Sequence, residues 1–81
     1  MEPTPKQLYS ESILSELERR RGPVMILAPA DYALIDGWYS RGVPLRVVLA
    51  GMALAQGVPR TLRFFEGAVE DEIRRVERAM A

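Results

Sequence analysis

Residues 42–59 read GVPLRVVLAGMALAQGVP, and the punctuation of this stretch decides the fold. Gly42-Val43-Pro44 opens it and Gly57-Val58-Pro59 closes it. A glycine just past a helix end and a proline at the start of the next helix are the expected asymmetry of helix termini. Between the two junctions Leu45, Val47, Val48, Leu49, Met52 and Leu54 leave almost no polar side. A helix without a polar face belongs in the middle of its neighbours. The stretch therefore predicts a central helix over about 44–56, with other helices before and behind it.

Gly22-Pro23 is a third junction of the same kind, so the chain divides into four helices with very short connections. The first is expected over about 5–20, because Thr4-Pro5-Lys6-Gln7 has the spacing of a capping box with proline at the first helical position. Leu8, Ile13, Leu14 and Leu17 give it one apolar side. The second, over about 29–41, turns Leu34, Ile35 and Trp38 inward. In the fourth, over about 59–80, Leu62, Phe65, Val69, Ile73, Val76 and Met80 recur at spacings of three and four and fall on one face. Glu70–Arg74 and Asp71–Arg75 stand at i,i+4 in the favourable order on its other side. Val24 to Ala28, enclosed by Pro23 and Pro29, is too short for a helix and reads as a buried extended connector or a single short strand. The expected architecture is all-α, a compact small bundle of four helices in a single domain over 1–81, with the first helix also a candidate docking or oligomerisation element.

Composition narrows the chemistry. A chain of 81 residues with 48% hydrophobic content can form a core, and disorder is not expected. There is no His and no Cys, which removes imidazole bases, thiolate nucleophiles, disulfides and most zinc sites. Ser10, Ser12, Ser15 and Ser40 have no partner that spacing identifies. Glu66, Glu70, Asp71 and Glu72 lack the loop of a calcium site and read as ion-paired surface. The expectation is a protein that is not an enzyme and needs no cofactor and no metal. No apolar run reaches the roughly 18 residues needed to span a bilayer, and the charged N-terminus does not have the form of a signal peptide. The expected compartment is the cytoplasm, with no membrane partner.

Eleven basic residues cancel eleven acidic ones, so net charge points to no particular partner, but the placement of the arginines is informative. Arg19, Arg20 and Arg21 end the first helix, Arg41 ends the second and Arg78 lies near the end of the fourth. The helix dipole favours cations there. Arg46, Arg60 and Arg63 fall instead in the first turns of the third and fourth helices, where a cation opposes the dipole. An anion docked at those helix starts would gather free backbone N–H groups and guanidinium groups together. Phosphate of a nucleic-acid backbone and a partner's carboxylate are both candidates; so is internal pairing with Asp31, Asp36 or Glu66. Phe64, beside Arg63 and off the main stripe, is either a stacking surface for an unpaired base or core filling. A different class of function rests on Val69, Ile73, Val76 and Met80, whose heptad-like spacing suits burial against a second chain or a larger assembly.

Over about 27–76, the order Leu27-Ala28-Pro29, Leu34-Ile35, Trp38, the 44–56 helix and Leu62-Arg63-Phe64-Phe65 resembles the C-terminal helical domain of DnaD-like proteins. That family occurs among replication-initiation and phage-associated proteins. The resemblance implies a helical core over 27–80 that associates with DNA or a replication-type nucleoprotein assembly. Where the family's last helix carries Tyr-x-x-x-Ile-x-x-x-Trp, this chain has Phe65, Val69 and Ile73. The apolar spacing is kept, while the hydroxyl and the indole are not.

Overall fold

Thr4 starts the first helix in the expected way. Its hydroxyl accepts the Gln7 N–H at 3.1 Å, and the Gln7 side chain accepts the Thr4 N–H at 2.7 Å. Two otherwise orphaned donors are thereby satisfied. A computed structural model of the chain describes residues 2–22, 28–57 and 61–80. Among them are α1 (Pro5–Arg21), α2 (Pro29–Ser40), α3 (Leu45–Leu54) and α4 (Glu66–Met80), with a 3-10 turn over Leu62–Phe65 and no strand. The all-α bundle is as expected. Residues 24–27 of the Val24–Ala28 connector, and Arg60, lie outside the described residues.

The inward face of α1 differs from the expected one. Tyr9, Ile13 and Leu17 are buried at i, i+4 and i+8, whereas Leu8 is half-exposed and Leu14 only partly covered. Three positions spaced by four make a continuous ridge, and Tyr9 gains something Leu8 cannot. Its hydroxyl donates to the Val43 carbonyl at 2.9 Å and ties α1 to the junction between α2 and α3. Tyr39 meets the same ring edge-on at 5.2 Å.

Burial pushes the Tyr9 hydroxyl up to about 12, against a smaller downward pull from Arg41. The folded chain thus holds this proton to higher pH than the unfolded chain does. The stability that follows is fully present below the ordinary value of 10.0 and is lost as pH rises through about 12. Tyr9→Phe should remove this alkaline loss and cost about 1 kcal/mol at neutral pH. Urea denaturation of both proteins at pH 7 and near pH 11 measures the two effects.

The junction after α2 is built as the sequence required. Gly42 has φ 73°, its N–H donates to Tyr39 O at 3.0 Å, and the Val43 N–H donates to Trp38 O at 3.0 Å. This pair of bonds is the Schellman ending, and the positive φ is why glycine stands there. Pro44 then caps α3 in an extended conformation. At the start of α2, buried Asp31 reaches back and accepts the Ala28 N–H at 3.2 Å.

α3 is shorter than expected, ending at Leu54, and it is not buried all round. Val47, Val48, Gly51 and Met52 face the core, while Arg46, Ala50, Ala53 and Leu54 face outward. It is central nonetheless, since it packs on both α1 and α4. The fourth helix is broken at its start. Leu62 and Phe65, three apart in the 3-10 turn, eclipse one another and both reach zero exposure, and the α-helical winding begins only at Glu66. Its ion pairs are also shifted. Arg74 pairs with Asp71 and Arg75 with Glu72 at i,i+3, in place of the expected i,i+4 pairs; Glu70 is engaged elsewhere, and Glu72, expected on the surface, is 3% exposed.

Candidate functional site

The direction of α4 along α3 settles which candidate residues can act together. Gly51, in the middle of α3, lies against Ala68 and Val69 near the start of α4. Pro44, Arg46 and Val47, at the start of α3, line one groove with Ile73, Val76, Glu77 and Met80 at the end of α4. The two helices are therefore antiparallel, and the 3-10 turn carrying Arg63 is at the opposite end of the pair from Arg46. From the rise of the helices the two arginines are roughly 15 Å or more apart. No single phosphate or carboxylate can be held by both. Each is exposed, and among the described residues neither makes an ion pair. The internal partners considered for them are otherwise occupied in two cases. Asp31 closes the start of α2, and Asp36 pairs with Lys6 at 2.9 Å.

Phe64 is 40% exposed and stands edge-on to buried Phe65 with ring centroids 5.3 Å apart. Beside it, Gly57 has φ 102°, and a Cβ there would come within 3.3 Å of the Phe64 ring. The ring is thus half core and half surface, with exposed Arg63 next to it in the turn.

The four residues assigned to a partner interface divide into two pairs. Val69 at zero exposure and Ile73 at 7% belong to the core; Val69 is closed to a second chain and Ile73 shows it only a narrow edge. Their half of the stripe is used up inside the chain against α3, whose Gly51 permits the close approach. Val76 is only partly covered and Met80 is 80% exposed. Together with Val47 and Ile73 they floor an open groove of about 300 Å3 between the start of α3 and the end of α4. Arg41, Arg46 and Glu77 stand around it. Arg41 is tied to Glu70 by two hydrogen bonds of 2.9 and 3.1 Å. Arg46 and Glu77 have no ion-pair partner among the described residues and do not pair with each other.

Glu77 was not singled out from sequence, although its place between Val76 and Met80 on the stripe was a usable signal. Arg20 was assigned to the helix dipole alone, yet it does more. Its Nη1 donates to the Ala55 carbonyl at 3.1 Å, its Nε lies 3.4 Å from Glu16, and its guanidinium sits 5.6 Å from the Phe65 centroid. It clasps the end of α1 to the end of α3, where helix-terminal carbonyls lack intrahelical donors. Among the described residues no helix is long and apolar enough to cross a membrane.

Comparison of the chain with protein-family models, curated proteins and solved structures returned no match. The DnaD-like resemblance rests on the residues quoted for it.

Proposed function

We propose that the chain is a non-catalytic helical interaction module whose working surface is the groove between the start of α3 and the end of α4. The supporting observation is Met80, a long apolar side chain left 80% exposed beside partly covered Val76 over an apolar floor. Apolar surface gathered in a concavity and rimmed by charge is what a protein partner buries. The separation of Arg46 from Arg63 and the zero net charge weigh against a dedicated phosphate-binding face.

Association with DNA or a replication-type assembly is the second reading. It has one specific support, the exposed Arg63 next to the half-exposed Phe64 ring, which together could meet a phosphate and an unpaired base. Light-scattering mass at about 50 and about 500 mM salt, with and without short single- and double-stranded DNA, separates the two. The interaction reading expects no DNA-bound species at either salt. A complex present at the lower salt, absent at the higher one and absent in an Arg63→Ala/Phe64→Ala variant would replace it with the nucleic-acid reading.

A further inference from the structure

We infer that the occupant of the groove is a second copy of this chain, docked about a twofold axis so that Arg46 of each copy meets Glu77 of the other. The inference rests on the reading of the groove as a protein-interaction surface and adds its partner.

Charge carries the choice of partner. Three charged residues stand around the groove, and one of them, Arg41, is neutralised within the chain by Glu70. That leaves Arg46 on α3 and Glu77 on α4 in no ion pair among the described residues, although Glu77 also feels Arg41, and both stand beside the same apolar floor. A partner that is merely acidic would meet Glu77, and one that is merely basic would meet Arg46, with like-charge repulsion in either case. A surface with one charge of each sign beside an apolar strip is complementary to itself under a twofold rotation. In an isologous contact residue i meets residue j and j meets i, so each copy supplies what the other lacks. The rotation also brings Met80 of each copy over the Val47–Val76 floor of the other, covering the exposed apolar side chain.

Size sets the strength. A stable interface takes about 800 Å2 from each partner, which is roughly one-seventh of this chain's 5616 Å2. Ten residues line the groove, fewer than the roughly 20–30 a side of a stable interface, so the pair should be reversible and should form in a concentration-dependent way. The apolar centre supplies affinity and the two rim pairs fix the register. Raising salt therefore weakens the dimer only slightly.

Sedimentation equilibrium of the full chain from about 5 µM to about 1 mM tests this directly. A shift from monomer to dimer mass is expected across that range, with no higher species. Arg46→Glu and Glu77→Arg each place two like-charge contacts in the symmetric interface and should raise the dissociation constant at least about tenfold. The Arg46→Glu/Glu77→Arg double variant recreates both pairs with signs exchanged and should return to within about threefold of the parent. Both positions are exposed, so far-UV circular dichroism should show the fold intact in all three variants. A monomer at every concentration, or a dimer indifferent to these changes, overturns the inference. A photo-crosslinking residue in place of Met80, used on the pure chain and then in an extract of the source cells, separates the two levels of the reading. An adduct of the chain with itself supports the second copy. An adduct only with a protein of another mass overturns the second copy and leaves the groove as an interaction surface. No adduct in either setting overturns both.

Discussion

Gly51→Ala should destabilise the chain by about 3 kcal/mol, one of the two largest losses expected from a single substitution here. A Cβ added at this position lies 2.6 Å from the Val69 Cα, with the Ala68 carbonyl oxygen and Val69 Cγ2 both at 3.1 Å. The first two are main-chain atoms, and the third belongs to a β-branched side chain with little rotamer freedom. None can swing away, so relief requires α3 and α4 to move apart. That movement would open gaps around Val48, Met52 and Val69, all at zero exposure, and lost contacts across a gap are not regained by solvent. Glycine normally costs a helix about 0.5–1 kcal/mol relative to alanine, so the sign at Gly51 is the reverse of the usual one. Gly37 in α2 and Gly67 in α4 supply the comparison, since an added Cβ meets nothing within 4 Å at either. Gly37→Ala and Gly67→Ala should therefore stabilise by about 0.5 kcal/mol or more. Urea denaturation of the three variants reads the contrast. A Gly51→Ala midpoint equal to or above that of the parent would show that the two helices do not approach so closely.

Features set by neighbours in the chain were legible in the sequence, and those set by packing between helices were not. Helix ends are local chemistry: Thr4 with Gln7, and Gly42 with Val43 and Trp38, involve neighbours within five positions, and the sequence displays them. The apolar stripe of the last helix was equally visible at Val69, Ile73, Val76 and Met80. Its division into core and surface was not, because that depends on where the partner helix ends. α4 has fifteen residues against ten in α3, and in the antiparallel pair its end runs on beyond the start of α3. The last turn of α4 is left without cover as a result, and Met80 becomes surface while Val69 does not. Pairings between distant positions were hidden for the same reason. Nothing near Arg20 in the sequence announces the Ala55 carbonyl, and nothing near Trp38 announces Glu70. Helix-dipole reasoning singled out Arg46, which stands in the first turn of α3, and Arg63, which stands in the 3-10 turn before α4 and not in its first turn. It could not show that an antiparallel α3–α4 pair carries them to opposite ends.

Glu70→Ala is the second large loss, expected at about 3 kcal/mol, and its cause is a single carboxylate serving two donors across helices. Glu70 Oε2 accepts the Trp38 indole N–H at 2.9 Å and an Arg41 N–H at 2.9 Å, while Oε1 accepts a second Arg41 N–H at 3.1 Å. The two donors do not contribute equally. Arg41 is half-exposed, so the loss of its pair is screened by water and should cost little. Trp38 is 1% exposed, and its N–H loses the one hydrogen-bond partner it has among the described residues. The indole should therefore dominate, and the variants can be ordered accordingly. Glu70→Gln keeps an oxygen for the indole and gives up the charge, so it should cost only about 1 kcal/mol. Arg41→Ala should resemble Glu70→Gln more than Glu70→Ala. Acid sensitivity adds a readout that packing alone would not move. The bidentate Arg41 guanidinium, helped by the indole N–H, holds the Glu70 carboxyl below its ordinary 4.5 against the opposing effect of burial. The folded chain thus binds this proton less readily than the unfolded chain. The stability it contributes is present above pH 4.5 and is lost as pH falls through the lowered folded value. Glu70→Gln cannot titrate, so its stability curve should be flatter than the parent's on the acid side, after allowance for the other carboxylates. Trp38 emission reports the unfolding in every variant, since this is the only tryptophan in the chain. A Glu70→Ala protein that loses less than about 1 kcal/mol, with unchanged acid sensitivity, would mean that the indole finds another acceptor and that the carboxylate does not join α2 to α4.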